Sequence, residues 1–320
     1  MKKDFYDLLP DISKAISNNY LESDLLLGKS DKPLPTRSII IEIINDLRQL
    51  MFPGYFSTEH IDAAGAAYYS GHMLAMIHQK LKKQIARALA YNCDSHVLST
   101  DSDILQKSED ICCDFFSALP TVQQMLLLDA QAGYDGDPAA SSREMVIFSY
   151  PGLYAIFVYR IAHELYKMNV PFIPRIMTEH AHSKTGIDIN SGAVIGKYFF
   201  MDHGTGIVIG ETTIIGDYVK LYQGVTLGAL STRGGQHLAG VKRHPTIEDR
   251  VTIYSNATVL GGETVIGADS VIGGGAFITS SIPSNTRVSV TPPELSIKND
   301  TSGSSSGTSE LTATEYIYEI

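Results

Sequence analysis

A chain of 320 residues with 44% hydrophobic and 19% charged residues holds enough apolar material for one to three domains. Its formal net charge of −10, with no basic run longer than the KLKK at Lys80, excludes a nucleic-acid partner. Cys93, Cys112 and Cys113 show neither a C-x-x-C spacing nor an even framework, so no disulfide staple and no thiolate metal site is expected. No apolar run of signal-peptide length opens the chain, and no stretch approaches the roughly 20 apolar residues of a membrane span, so a cytoplasmic protein without membrane contact is expected.

Residues 1–170 carry apolar side chains at helical spacing, as in 39–51 and 72–90, and are expected to form an all-α domain. Pro33 and Pro35 break it early, Phe52-Pro53-Gly54 separates two helices, and the turn residues of GYDGDP (133–138) end another. Within the apolar stretch 145–168, Pro151 and Gly152 mark a kink or a late start.

From about 187 to 290 the period changes to six. Ile189, Ile195, Met201 and Ile207 form one series, and Ile209, Ile215, Leu221 and Leu227 continue it after a two-residue shift. Ile247, Ile253, Val259 and Val265 make a third frame; Leu260, Ile266, Ile272 and Ile278 make another, offset by one. The i+4 positions are small or β-branched, as at Ala193, Thr205, Thr213, Val219, Val225, Val251, Ala257, Ser270 and Ala276. A six-residue unit cannot bury its own aliphatic side chain, but three units close a triangular coil, and coils stacked about 4.8 Å apart pair their backbones and align those side chains into columns. The expected fold is therefore α+β, an N-terminal all-α domain (1–170) followed by a left-handed parallel β-helix of hexapeptide repeats (171–298). Residues 228–245, rich in glycine and without an apolar hexad, read as a loop extruded from one coil, and 299–320 as a flexible tail too polar to fold alone.

Chemistry concentrates in MDHGTGIVIGE (201–211), where Asp202 and His203 stand at a hexad boundary followed by glycines. Asp188 lies nearly one coil earlier, where its carboxylate can accept from the second ring nitrogen of His203 and fix the imidazole tautomer for proton abstraction.

YRIAHELY (159–166), DINSGAVIG (188–196), MDHGTGIVIGET (201–212), VTLG (225–228) and RHPTI (243–247), with DAQAGYDGDPAA (129–140) before the last helix, together resemble the bacterial serine acetyltransferases, which belong to the hexapeptide-repeat acyltransferases. The resemblance covers about residues 125–285. It implies transfer of acetyl from acetyl-CoA to the hydroxyl of L-serine in cysteine biosynthesis, with no metal. It implies His203 as general base with Asp188 as its orienting partner, Asp137 and Asp202 on the serine ammonium, Arg243 on the carboxylate and His244 near the hydroxyl. Carboxylates for an ammonium and a guanidinium fork for a carboxylate are the matching chemistries. Ala229, Ser255 and Gly274 fall at the family's cofactor-contact positions. The resemblance further implies L-cysteine as an inhibitor, a homotrimer or dimer of trimers, and insertion of the terminal Ile320 into O-acetylserine sulfhydrylase. Asn190 and Ser191 depart from the family's usual His-Pro, and the 228–245 loop is longer than usual. A sugar or amine acetyltransferase of the same fold is the main alternative, and a non-catalytic trimeric scaffold is another. His180 and His182 form an H-x-H pair, expected to be surface residues without an acidic partner.

Overall fold

A computed structural model describes residues 4–27, 32–58, 60–92 and 101–291. The chain divides into two compact units: 1–120 with 161–177, and 121–160 with 178–320. Nine helices precede the first strand among the described residues: α1 (Phe5–Glu22), α2 (Asp24–Leu27), α3 (Arg37–Met51), α4 (Pro53–Phe56), α5 (Ala66–Asn92), α6 (Asp101–Gly136), α7 (Arg143–Ser149), α8 (Pro151–Lys167) and α9 (Ile173–Thr185).

In the first unit, Ile40, Ile43, Ile44, Leu47 and Met51 of α3 fall on one stripe and are buried, as are Met73, Ile77, Leu81, Ile85 and Ala88 of α5. Buried Gln84 accepts from the Thr36 amide at 2.7 Å, and Lys80 reaches Asp46 at 2.8 Å beside this seam. Helix α6 is long and apolar enough to cross a membrane, its most apolar window having a mean hydropathy of 1.4. About 33% of that window is buried, one face carrying Ile111, Cys112, Phe115 and Leu119, and further along the helix Asp129 lies in a buried ion pair.

The second unit holds the repeat. The strands are β1 (Asp188–Ile189), β2 (Val194–Ile195), β3 (Phe200–Asp202), β4 (Val208–Ile209), β5 (Ile214–Ile215), β6 (Lys220–Tyr222), β7 (Thr226–Gly228), β8 (Thr246–Ile247), β9 (Thr252–Ile253), β10 (Thr258–Leu260), β11 (Val265–Ile266), β12 (Val271–Ile272), β13 (Phe277–Ile278) and β14 (Arg287–Val288). They pair in parallel as three sheets, β1-β4-β7-β10-β13, β2-β5-β8-β11 and β3-β6-β9-β12-β14, the three faces of a left-handed β-helix of about five turns. Ile189, Ile209, Leu227, Val259 and Ile278 pile up inside the first face, and Met201, Leu221, Ile253 and Ile272 inside the third. Each buried aliphatic side chain contributes roughly 1.5–3 kcal/mol.

The repeat frames explain the turn geometry. Asp188 pairs with Val208, twenty residues on, whereas Val208 pairs with Thr226 after eighteen. The two extra residues lie in the corner 203–207, where His203 has φ 57° and Gly204 and Gly206 have φ 83°. At this corner Thr205 is exposed, and Ile207, the next member of the series from Ile189, is buried. The expected start of the β-helix at 171 also shifts, because α9 occupies 173–185 and the first strand begins at Asp188. His180 is buried at 7% exposure, contrary to the surface reading. Residues 299–320, including Ile320, lie outside the described residues.

Candidate active site

Two clusters form at different corners of the prism. The first lies where the chain turns from β3 to β4. Asp202 ends β3, and the left-handed backbone at His203 turns its imidazole outward, with the side chain 67% exposed. The Asp202 Oδ1 lies 3.9 Å from His203 Nε2, too far for a hydrogen bond.

Asp137 reaches this corner from the end of α6. Gly136 permits it: a Cβ there would come within 2.7 Å of the Phe200 ring, so only glycine lets the helix end lie on β3. The Asp137 carboxylate accepts from the Ala139 amide at 2.8 Å and from the Tyr150 hydroxyl at 2.5 Å. The Tyr150 hydrogen bond pulls the Asp137 carboxyl below its ordinary value, with smaller contributions from Lys220 and His203. Burial and the same hydrogen bond push Tyr150 up to about 12, so it is a neutral donor. Tyr150 owes its position to Pro151: the residue before proline is held extended, here at φ −79° and ψ 122°, between α7 and α8, which bend by 72°. Lys220 on β6 adds a cation, its Nζ 3.7 Å from Asp202 Oδ2. Sequence reasoning missed both Tyr150 and Lys220.

Behind this corner a buried ion pair fixes the helices to the first coil. Arg160 donates to Asp129 from Nε at 2.6 Å and Nη2 at 2.9 Å, and to the Ile195 and Gly196 carbonyls at 3.2 and 2.8 Å. Asp129 also accepts from the Phe199 amide at 3.0 Å. Burial pushes the Asp129 carboxyl up, against the pull of Arg160 and that amide.

Asp188 is placed on β1 with its amide donating to Ile207 O at 2.9 Å. Its carboxylate, Glu179 and His182 bring their potential ligand atoms within 4.8 Å of one another, so His182 has the acidic neighbours that the sequence reading denied it. With the side chains of His182 and Glu179 42% and 45% exposed, this is an open, solvent-facing set rather than a closed structural cage.

The second cluster lies at the corner between the first and second faces. Arg243 pairs with Glu211 at 2.5 Å and donates to Leu238 O at 3.2 Å. His244 packs on Gly210, where a Cβ would lie 2.0 Å from its ring, and its Nδ1 accepts from the Thr212 amide at 3.1 Å. Thr212 Oγ1 accepts from the amides of Arg243 and His244 at 2.9 and 3.1 Å. Lys242 donates to Thr212 O at 2.7 Å and to the His244 carbonyl, closing the base of the loop. Burial, reinforced by Arg243, lowers His244 to about 4, so it is neutral near pH 7. The expected cofactor positions divide likewise: Gly275 N donates to Ser255 O at 2.8 Å, stacking Ser255 and Gly274 on the His203 corner, whereas Ala229 follows β7 at the Arg243 corner.

A hexapeptide-repeat β-helix with an outward histidine beside paired carboxylates at one corner and a guanidinium at another defines an acyltransferase. No family model matches the chain. It is 42% identical over 234 residues, 71% of its length and 72% of the relative's, to the plasmid serine acetyltransferase of Synechococcus elongatus. A serine acetyltransferase of Bacillus licheniformis is 51% identical over 126 residues, 39% of this chain and 56% of that one. Among solved structures, serine acetyltransferase 1 of Entamoeba histolytica, in complex with L-cysteine, is 36% identical over 77% of this chain and 86% of its own, with a TM-score of 0.67. Isoform 3 from the same organism, in complex with cysteine, is 31% identical over 92% and 96%, with a TM-score of 0.69. The chain belongs to the serine acetyltransferase family.

Proposed function

We propose that this chain carries out its family's reaction, moving the acetyl group of acetyl-CoA to the hydroxyl of L-serine in cysteine biosynthesis, with His203 as the general base. The serine ammonium binds between Asp137 and Asp202, and Arg243 takes the carboxylate with His244 beside it. His203 removes the hydroxyl proton as the oxygen attacks the thioester carbon, Asp188 orients the imidazole, and collapse of the tetrahedral intermediate returns that proton to the departing CoA thiolate. The observation that carries this reading is Asp137 brought beside Asp202 and His203 from a different part of the chain, since two carboxylates at one catalytic corner call for an ammonium-bearing acceptor. A sugar acetyltransferase has no use for that second carboxylate. Measuring thiol release from acetyl-CoA with L-serine, threonine, homoserine and simple sugars tests it: turnover should favour serine, and equal or faster turnover of a sugar would overturn it.

The separation of the two clusters supports a homotrimer, alone or paired into a dimer of trimers. One six-residue face, up to about 20 Å at roughly 3.3 Å per residue, lies between the His203 and Arg243 corners. One serine cannot span that distance, but the His203 corner of one chain set against the Arg243 corner of a neighbour completes the site and gives acetyl-CoA a groove with Ser255 and Gly274 on one wall and Ala229 on the other. L-cysteine, isosteric with serine apart from sulfur, is the expected inhibitor, in keeping with the cysteine complexes of the Entamoeba enzymes. We place the enzyme in the cytoplasm, with Ile320 as the group that enters O-acetylserine sulfhydrylase.

A further inference from the structure

The serine and cofactor roles leave one cation of the first cluster unused. Lys220 leaves β6 in register with Phe200 and runs over the helix end, its side chain 22% exposed. Its ammonium donates to Gly136 O at 2.5 Å, lies 3.7 Å from Asp202 Oδ2, and sits 4.6 and 5.1 Å from the ring centroids of Tyr222 and Phe200. A helix-terminal carbonyl, a carboxylate and two aromatic faces are what a primary ammonium seeks. The chain's own lysine thus occupies an ammonium site bordering the one assigned to substrate.

Two consequences follow from charge and geometry. Asp137 and Asp202 carry two negative charges and serine brings one positive charge, so the loaded subsite is neutral only if Lys220 supplies the other. Gly136 O also belongs to the residue preceding Asp137, so the bond from Lys220 fixes where Asp137 leaves the helix relative to Asp202 on the neighbouring strand. We propose that Lys220 is a positioning residue of the amino-group subsite, tying the carbonyl end of α6 to Asp202, setting the spacing of the two carboxylates and limiting the pair to a single substrate ammonium. This rests on the reading of Asp137 and Asp202 as ligands of the serine ammonium.

Steady-state kinetics of the full chain test it, using Lys220→Met, Lys220→Gln, Lys220→Arg, Asp202→Asn and the double variant Lys220→Met/Asp202→Asn. Lys220→Met and Lys220→Gln should each raise KM for L-serine about tenfold while KM for acetyl-CoA stays within about twofold, and Lys220→Arg should recover most of the loss. Because Lys220 acts through the carboxylate pair, the double variant should be no worse for serine than Asp202→Asn alone. An unchanged serine KM in both neutral variants, where Asp202→Asn raises it, would overturn the role of Lys220 and leave the ammonium reading standing. Failure of Asp202→Asn to move the serine KM would overturn both. Equal rises in both Michaelis constants, or additive losses in the double variant, would reduce Lys220 to a structural residue and overturn the proposal.

Discussion

Asp129→Asn and Arg160→Met remove opposite halves of the buried pair, and their costs should differ in size and in pH dependence. Arg160 is 4% exposed and Asp129 2% exposed. Asp129→Asn leaves the Arg160 guanidinium, still charged, without its carboxylate in a site from which water is excluded. Such an unpaired buried charge costs about 3–5 kcal/mol, a fall of roughly 2 M in the urea midpoint at an m-value near 2 kcal/mol per M. Arg160→Met leaves a carboxyl that can take up a proton, and burial already pushes it in that direction. With its folded pKa above the unfolded value near 3.9, the carboxyl's contribution is fully present below that value and is lost as pH rises toward the folded pKa. Arg160→Met should therefore be more stable at pH 5.5 than at pH 7.5, relative to the parent, by up to about 2.7 kcal/mol. Urea unfolding of both variants at the two pH values is the assay. Equal losses without pH dependence would refute the charge asymmetry and reduce the pair to packing.

His203→Ala should lower kcat by about two to four orders of magnitude with the fold intact, and near-parental turnover would remove the general-base role. L-cysteine should raise the apparent KM for L-serine without changing the rate at saturating serine; a rate insensitive to cysteine at low serine would separate inhibition from the serine site. His244, lowered to about 4, favours the folded state above the unfolded histidine value near 6.5 and withdraws that support as pH falls toward 4. The acid limb of kcat between pH 5 and 8 should accordingly persist in His244→Asn, and its disappearance would assign that limb to His244. A peptide of residues 311–320 should inhibit O-acetylserine sulfhydrylase and one lacking Ile320 should not, with equal inhibition excluding the terminal residue.

The β-helix is legible because its inward residues obey a period that chain geometry imposes, and even the two-residue shift between Ile207 and Ile209 marks the widened corner at His203. The series from Ile189 runs through that corner to the buried Ile207, while the positive-φ turn leaves Thr205 exposed. Residue types singled out Asp188, Asp202 and His203, but not that Tyr150 would hold Asp137 or that Lys220 would face Asp202. Periodicity assigns Lys220 to the outer face without naming its neighbours, because those come from a helix end more than eighty residues away. Pro151, which holds Tyr150 extended, was the available sign of a special position. His180 went wrong for a similar reason: in α9 it lies on the inner side, which a reading of the segment as pre-coil surface could not register.

A site built from the His203 corner of one chain and the Arg243 corner of another makes a prediction that no single-chain site shares. His203→Ala and Arg243→Ala, each nearly inactive alone, should regain serine acetylation when unfolded and refolded together, because mixed assemblies contain some sites with an intact His203 from one chain and an intact Arg243 from its neighbour. Thiol release from acetyl-CoA with L-serine, measured on the co-refolded mixture against each variant refolded alone, should recover a substantial fraction of parental activity. A co-refolded mixture no more active than the sum of its parts, with mixed assembly verified by differently tagged chains, would contradict the shared site.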